Sequence, residues 1–242
     1  MADPLLRQIL PPEVTAVEAF GDDQSVKLFP EEEEAIARAV DKRRREFATA
    51  RACARAALAQ LGEPPVPIPR GLRGEPKWPE GLTGSITHCD GYRAAAVTRL
   101  TDVAALGLDA EPDEELPGEV LDMIALDAER AMLAALGATE PSVRWDRLLF
   151  CAKESVYKAW FPLARRWLGF EDAHVTIAGD GGTFGGPRHV MADGSRGGTF
   201  TAKLLVPGPR VAAASLTVLR GRWLAARGLI VTAVLIPAGP PG

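Results

Sequence analysis

A chain of 242 residues has room for one large domain or two modest ones, each with its own core. With 47% hydrophobic and 25% charged residues its composition is that of a soluble globular protein, and a formal charge of −4 excludes a general nucleic-acid binder, which is normally basic. Cys53, Cys89 and Cys151 stand far apart without CxxC spacing, so neither a disulfide framework nor a zinc site is expected, and a reducing cytoplasm fits.

The opening MADPLLRQILPPEV has an acidic residue and prolines where a signal peptide needs an apolar run. No segment approaches about 18 uninterrupted apolar residues, so no membrane span is expected. After a short lead-in, Val14 to Phe20 reads as a strand. Pro30 opens an expected long helix that begins EEEE, suited to the positive end of a helix dipole, and runs to about Leu61, where Gly62 and Pro64 stop it. Within it lies DKRRREFATARACAR. Arg44, Arg51 and Arg55 share a wheel face, while Arg43 lies nearer Phe47. Such a face is either a solvated basic stripe or a phosphate-binding surface, for which planar guanidinium groups are well suited.

Residues 62–81 are too rich in Pro and Gly for regular structure and read as a surface connector carrying Arg70, Arg73 and Lys77. GSITHCDGYRAAAVTRL reads as two strands around an Asp90-Gly91 turn, with His88 near the end of the first and Ser85 and Thr87 beside it. A further strand, VAALGLDAEP, ends in Asp109-x-Glu111 before Pro112. In a strand, residues i and i+2 share a face, so these carboxylates point into one space and repel unless a cation or proton lies between them. A hard divalent cation such as Mg²⁺ takes oxygen ligands of this kind, although D-x-E alone is a weak signal.

Residues 113–144 read as a loop, an amphipathic helix from Asp127 to Leu136, and a second loop around Pro141. In WDRLLFCAKESVYKAW, residues Trp145, Leu148, Leu149, Ala152, Val156, Ala159 and Trp160 fall on one helical face. Glu154 and Lys158 lie opposite, an i, i+4 pair that in isolation is a solvated contact worth a few tenths of a kcal/mol. Strands are expected at His174–Ile177, Thr199–Val206, Arg210–Val218 and Gly228–Ile236. The order predicts an α+β protein of two similar halves, a pseudo-dimer in which each half packs a long helix on a small antiparallel sheet, divided into 1–105 and 106–242.

GSITHC, then LGLDAEP, then WDRLLFCAKESVYKAWFP resemble the 4′-phosphopantetheinyl transferases of the Sfp type, and within them the actinobacterial members that serve polyketide and nonribosomal peptide synthases. KRRREFATARACARAAL, LPGEVLD, RWLGFEDAHVTI and LRGRW extend the resemblance over nearly the whole chain. It implies transfer of the phosphopantetheine arm of coenzyme A to a serine of apo acyl- or peptidyl-carrier proteins, in a cytoplasmic monomer that binds neither nucleic acid nor membrane. It also implies Mg²⁺, with Mn²⁺ as a substitute, held by Asp109, Glu111 and Glu154. Glu154 is then metal ligand, general base or both; Lys158 faces the phosphates, and Lys153 reaches them from the side.

Arg43, Arg51, Arg70 and His88 match positions that hold the nucleotide of coenzyme A, and Ser85 and Thr87 are expected to add contacts. The wheel groups Arg44 with Arg51, whereas the motif match favours Arg43; both stand at this point. Arg165, Arg166 and Trp167 are a candidate docking surface for acidic carriers. Two other readings use the same residues: another Mg²⁺-dependent phosphotransferase or phosphohydrolase, or a silent binding module. P-loop and kinase signatures are absent from the sequence.

Overall fold

The computed structural model describes residues 4–177, 189–190, 194–212 and 214–239. β1 (Thr15–Phe20) is followed by two helices, α1 (Pro30–Ala35) and α2 (Asp41–Gln60), where one was expected. Residues 36–40 contain no Gly or Pro to mark the break. Instead Val40 is extended (φ −66°, ψ 157°), and Arg44 of α2 reaches back to donate to the Ile36 carbonyl at 2.9 Å. The EEEE run falls in the first of these helices, while α2 opens on the single acidic residue Asp41. One carboxylate of that run, Glu32, is fully buried, receiving the amides of Phe29 and Ile68 and a fork of two 2.9 Å bonds from Arg55.

β2 (Leu82–Cys89) and β3 (Tyr92–Arg99) form the expected hairpin, with Gly91 at φ 71° in its turn. The sheet order is β1-β3-β2, antiparallel throughout, and α2 packs across β1 and β3. β4 (Val103–Pro112) starts the second sheet; the expected division at 105/106 falls inside this strand. Three helices follow: α3 (Gly118–Ile124), which was expected to be loop, α4 (Asp127–Thr139) and the 20-residue α5 (Trp145–Ala164).

β5 (Ala173–Ile177), β6 (His189–Val190), β7 (Arg196–Leu204), β8 (Arg210–Val211), β9 (Ala214–Ser215), β10 (Val218–Ala226) and β11 (Leu229–Pro237) complete the chain. The second sheet runs β4-β11-β10-β7-β5, with β6 beside β7. The strand expected over Arg210–Val218 is a minimal β8–β9 hairpin, its turn carrying Ala212 at φ 51°; Ala213 lies outside the described residues. The long strand is β10 instead. Its alternation is masked in the sequence by Gly221, which faces inward because a Cβ there would meet the Phe200 ring at 2.1 Å.

All seven residues of the predicted α5 stripe are buried, and Trp145 meets Trp223 edge-on at 5.5 Å. Burying side chains of this size contributes about 1.5–3 kcal/mol each. Among the described residues no helix is long and apolar enough to cross a membrane.

Two contacts hold β4 in place. One edge of it ladders onto β11. On the other edge the amides of Leu108 and Ala110 donate to the hydroxyls of Ser85 (2.9 Å) and Thr87 (3.0 Å), so β2 meets β4 through side chains and not through a ladder. Above β4, α5 comes so close at Gly107 that a Cβ would stand 1.9 Å from the Ser155 carbonyl oxygen and 2.7 Å from the Ala159 nitrogen. Both are backbone atoms of a packed helix and cannot rotate away. Gly107→Ala should therefore cost about 2–3 kcal/mol by overpacking, a fall in Tm of roughly 5–10 °C by thermal melting. A melting temperature equal to that of the unaltered protein would show that the helix can shift without cost.

Candidate active site

The close seating of α5 on β4 puts the second acidic group over the first. Asp109, facing α5, is buried, and its Oδ1 takes the Lys158 ammonium at 2.7 Å. Its Oδ2 is buried without a hydrogen-bond partner among the described residues. Burial opposes the charged form of Lys158, but Asp109 outweighs this and the ammonium is held above its usual range.

Glu154 and Lys158 lie one turn apart on the half-buried face of α5. Burial first, and then Asp109, raise the carboxyl of Glu154. The same two causes push Glu111 up to about 7, although Arg147 donates to its Oε2 at 3.1 Å. Arg147 also donates to the carbonyls of Glu114 (3.1 Å) and Glu115 (2.9 Å), lacing the chain that leaves β4 to the first turn of α5. It went unnoticed in the sequence, yet it stands seven residues before Glu154, on the same helical face.

Among the described residues no three His, Cys, Asp or Glu side chains close on one point as a finished metal cage. The donor set still suits a hard cation: one oxygen is orphaned in the interior, and two carboxyls nearby are held back from ionisation by burial and by Asp109. Asp109 and Glu154 share this space with Lys158, while Glu111 is turned to Arg147.

On the other side of Lys158, a pocket of about 180 Å³ gathers Arg43, Arg51, Arg70 and His88. α2 supplies the first two, the connector the third and the end of β2 the fourth. Glu46 is the sole carboxylate on its wall, 3.4 Å from Arg43 and 3.7 Å from Arg93. Arg43 and Arg44 differ in direction: Arg43 turns to the imidazole of His88, whereas Arg44 turns to Ile36 and Glu33. Arg51 is 4% exposed, donates to the Ile68 carbonyl at 2.7 Å and lies over the Phe47 ring; burial pulls its guanidinium down to about 10. Its location behind the wall makes part of its role structural.

A wider cleft of about 630 Å³ adjoins this pocket, sharing Gly74, Pro76, Ile86 and Lys158 with it and adding Glu154, Tyr157, Trp78 and Phe161. Arg165 and Glu75 stand on its rim, 3.8 Å apart.

One expected contact needs correction. The Lys153 side chain leaves the cleft altogether: its ammonium is buried 2.8 Å from Glu129 and bonded to the carbonyls of Ile124, Phe170 and Ala173. The next residue on a helix points about 100° away, so a neighbour of Glu154 faces the core. Ser85 and Thr87 are likewise buried, their hydroxyls committed to the β4 amides, and Thr87 lies 3.4 Å from Asp109. Their hydroxyls hold β4, and with it Asp109, in place.

Burial and then Arg43 hold the His88 imidazole down to about 3 from an ordinary 6.5. The ring is neutral and its Nε2 accepts from Arg43. A histidine whose folded value is depressed gives stability that is present above the unfolded value and lost as pH falls toward the folded one. His88 should therefore show no imidazole titration above roughly pH 5 by NMR, and stability should fall on acidification below 6.5. A midpoint near 6.5 would mean that the ring is solvated and unpaired.

A family model described as the 4′-phosphopantetheinyl transferase N-terminal domain matches residues 31–98, and that of the 4′-phosphopantetheinyl transferase superfamily matches residues 105–189. The chain is 49% identical over 241 residues to 4′-phosphopantetheinyl transferase Svp of Streptomyces mobaraensis, covering 98% of this chain and 91% of the relative. It is 50% identical over 222 residues to the transferase PptT of Mycobacterium tuberculosis, covering 90% of each. Against the transferase Npt of Nocardia iowensis the figure is 49% over 231 residues, 95% of this chain and 99% of that one. An acidic strand end, a lysine between it and a guanidinium pocket, and these full-length likenesses lead to one assignment: the chain belongs to the 4′-phosphopantetheinyl transferase superfamily.

Proposed function

We propose that this cleft moves the 4′-phosphopantetheine group of coenzyme A onto a serine of apo acyl- and peptidyl-carrier proteins, those of polyketide and nonribosomal peptide assembly among them. One observation carries the reading: a pocket of guanidinium groups shares Lys158 with a cleft that holds a raised carboxyl. The first suits an anionic nucleotide, the second removal of the proton from a hydroxyl that attacks phosphorus.

In the reaction the serine oxygen forms a bond to the phosphorus that carries pantetheine, and the bridging phosphorus–oxygen bond breaks. Adenosine 3′,5′-bisphosphate leaves with the electron pair, and the serine proton passes to a base. Such a transfer is catalysed mainly by positioning and charge stabilisation. Arg43, Arg70 and His88, with Arg51 behind them, bind the nucleotide phosphates; charge-assisted bonds of this kind contribute about 1.5–3 kcal/mol each. Lys158 turns from Asp109 to the departing phosphate. Glu154, with its carboxyl raised, takes the serine proton directly or through water.

Asp109, Glu111 and Glu154 would hold Mg²⁺, or Mn²⁺ in its place. When bound, that ion supplies charge compensation at the pyrophosphate. The chain then works as a cytoplasmic monomer of two related halves, 1–105 and 106–242. The seating of α2 on β1 and β3, and of α5 on β4 and β11, supports that view of the halves. Arg165, Arg166 and the exposed Trp167 form a basic and apolar rim suited to an acidic helical carrier.

Mass spectrometry of apo carriers incubated with coenzyme A and Mg²⁺ should show the gain of one phosphopantetheine group. No gain over a panel of acyl and peptidyl carriers would sink the reading, and phosphate release without a carrier would favour a hydrolase. Glu154→Gln should lower the transfer rate by roughly 10²–10⁴-fold with little change in Tm. Arg43→Ala should leave the fold intact and weaken coenzyme A binding by about tenfold or more, read by calorimetry. Unchanged affinity would return Arg43 to a solvated role.

A further inference from the structure

One oxygen at the site makes no bond: Asp109 is 5% exposed, and its Oδ2 lies buried without a hydrogen-bond partner among the described residues. A buried polar atom in that state is costly, and more so in a charged group. We propose that the thiol of Cys151 is a positioning residue for Asp109, giving its hydrogen to Oδ2 so that Oδ1 stays turned to the cleft. The inference rests on the reading of Asp109 as a carboxylate for Mg²⁺ given above.

Hydrogen accounting singles out the thiol. Cys151 on α5 and Thr232 on β11 are both fully buried, and Thr232 stands opposite Asp109 in the β4–β11 register. A hydroxyl has one hydrogen, and Thr232 donates its own to the Cys151 carbonyl at 2.9 Å. Cys151 Sγ lies 3.3 Å from Thr232 Oγ1, so with the hydroxyl hydrogen committed the thiol is the donor there. Its other acceptor is the Ile230 carbonyl at 3.6 Å. The Asp109 carboxylate adjoins the same sulfur and, after burial, is the largest cause that raises this thiol. The S–H bond turns freely about Cβ–Sγ, and the carboxylate is the one charged acceptor of the three, so it makes the strongest bond.

The donors to Asp109 among the described residues, Lys158 at 2.7 Å and Thr87 at 3.4 Å, both act on Oδ1. Lys158 leaves that oxygen when it turns to the departing phosphate, and a hydroxyl at 3.4 Å is too distant to hold the group alone. A hydrogen on Oδ2 keeps the carboxylate in place through the exchange. It comes from α5, the helix that also carries Glu154 and Lys158, so it ties Asp109 to the rest of the acidic group. Donors that stand behind a metal-binding side chain orient it, and losing one typically costs about 10–100-fold in metal affinity.

Two substitutions separate the hydrogen from the volume. Cys151→Val fills the space without a donor, and Cys151→Ser keeps a donor in a smaller side chain. Mn²⁺ is titrated into the unaltered protein and both variants and followed by electron paramagnetic resonance; metal-free coenzyme A binding by calorimetry and thermal melting are the controls. Cys151→Val should bind Mn²⁺ about tenfold or more weakly, Cys151→Ser within about threefold of the unaltered protein, and coenzyme A affinity should stay within about twofold in both. A packing role would give the reverse order, with Cys151→Ser losing more. That order, equal losses, or unchanged Mn²⁺ affinity in Cys151→Val overturns the positioning role and leaves the transferase reading standing. No Mn²⁺ binding by the unaltered protein overturns the inference together with the metal reading, while transfer to apo carriers is judged separately by mass spectrometry. Should Cys151→Val fail to fold, infrared difference spectroscopy on Cys89→Ala, which keeps Cys151, decides: Mg²⁺ should shift a buried S–H stretching band, and no shift refutes the hold.

Discussion

The distance between one strand and one helix governs everything chemical in this molecule. β4 carries Asp109 and Glu111, and α5 carries Glu154 and Lys158. The two elements meet at Gly107, where a single added carbon would collide with the helix backbone at 1.9 Å. Helix and strand normally stand apart by the thickness of their side chains. Removing that layer at one point lets Lys158 reach Asp109 at 2.7 Å and leaves Glu154 within the field of the same carboxylate. The hydroxyls of Ser85 and Thr87 hold β4 from the opposite edge. The site is thus a consequence of close packing and not of a flexible loop brought over a surface.

Charge is sorted around this contact. Guanidinium groups collect on the α2 side, carboxylates on the β4 side, and Lys158 bridges them. Burial in the first place, and like charge nearby after it, lower Arg51 and raise Glu111 and Glu154. Structural charges elsewhere are treated differently. Glu32 with Arg55, and Glu129 with Lys153, are buried pairs whose remaining valences go to backbone groups. Asp109 differs from these pairs in that its Oδ2 is left without a partner among the described residues.

Much of the scaffold was legible in the chain. The β2–β3 hairpin followed from Asp90-Gly91, β4 from its apolar run before Pro112, and the buried face of α5 from its 3.6-residue spacing. The break between α1 and α2 was not legible, because the residues there are good helix formers and the interruption comes from Arg44 reaching Ile36 across space. β10 was obscured by Gly221, whose emptiness is filled by a phenyl ring from β7. Among the site residues, Arg43, Arg70, His88 and Lys158 fall together as their motifs suggested. Lys153 did not, since adjacency in sequence to Glu154 says nothing about direction on a helix. The bonds that the Ser85 and Thr87 hydroxyls make were not legible for a similar reason: their partner is a backbone 23 residues away.

The neutral ring of His88 has a consequence for proton traffic. With His88 held down to about 3, its ring adds no charge near neutral pH to the pocket that it shares with Arg43 and Arg70. A phosphate monoester loses its second proton near pH 6. On the proposed reading, a phosphate entering this pocket titrates beside an imidazole that is already neutral, and proton uptake or release on binding does not come from His88. The ring stays a neutral partner of Arg43 and takes up no proton near neutral pH.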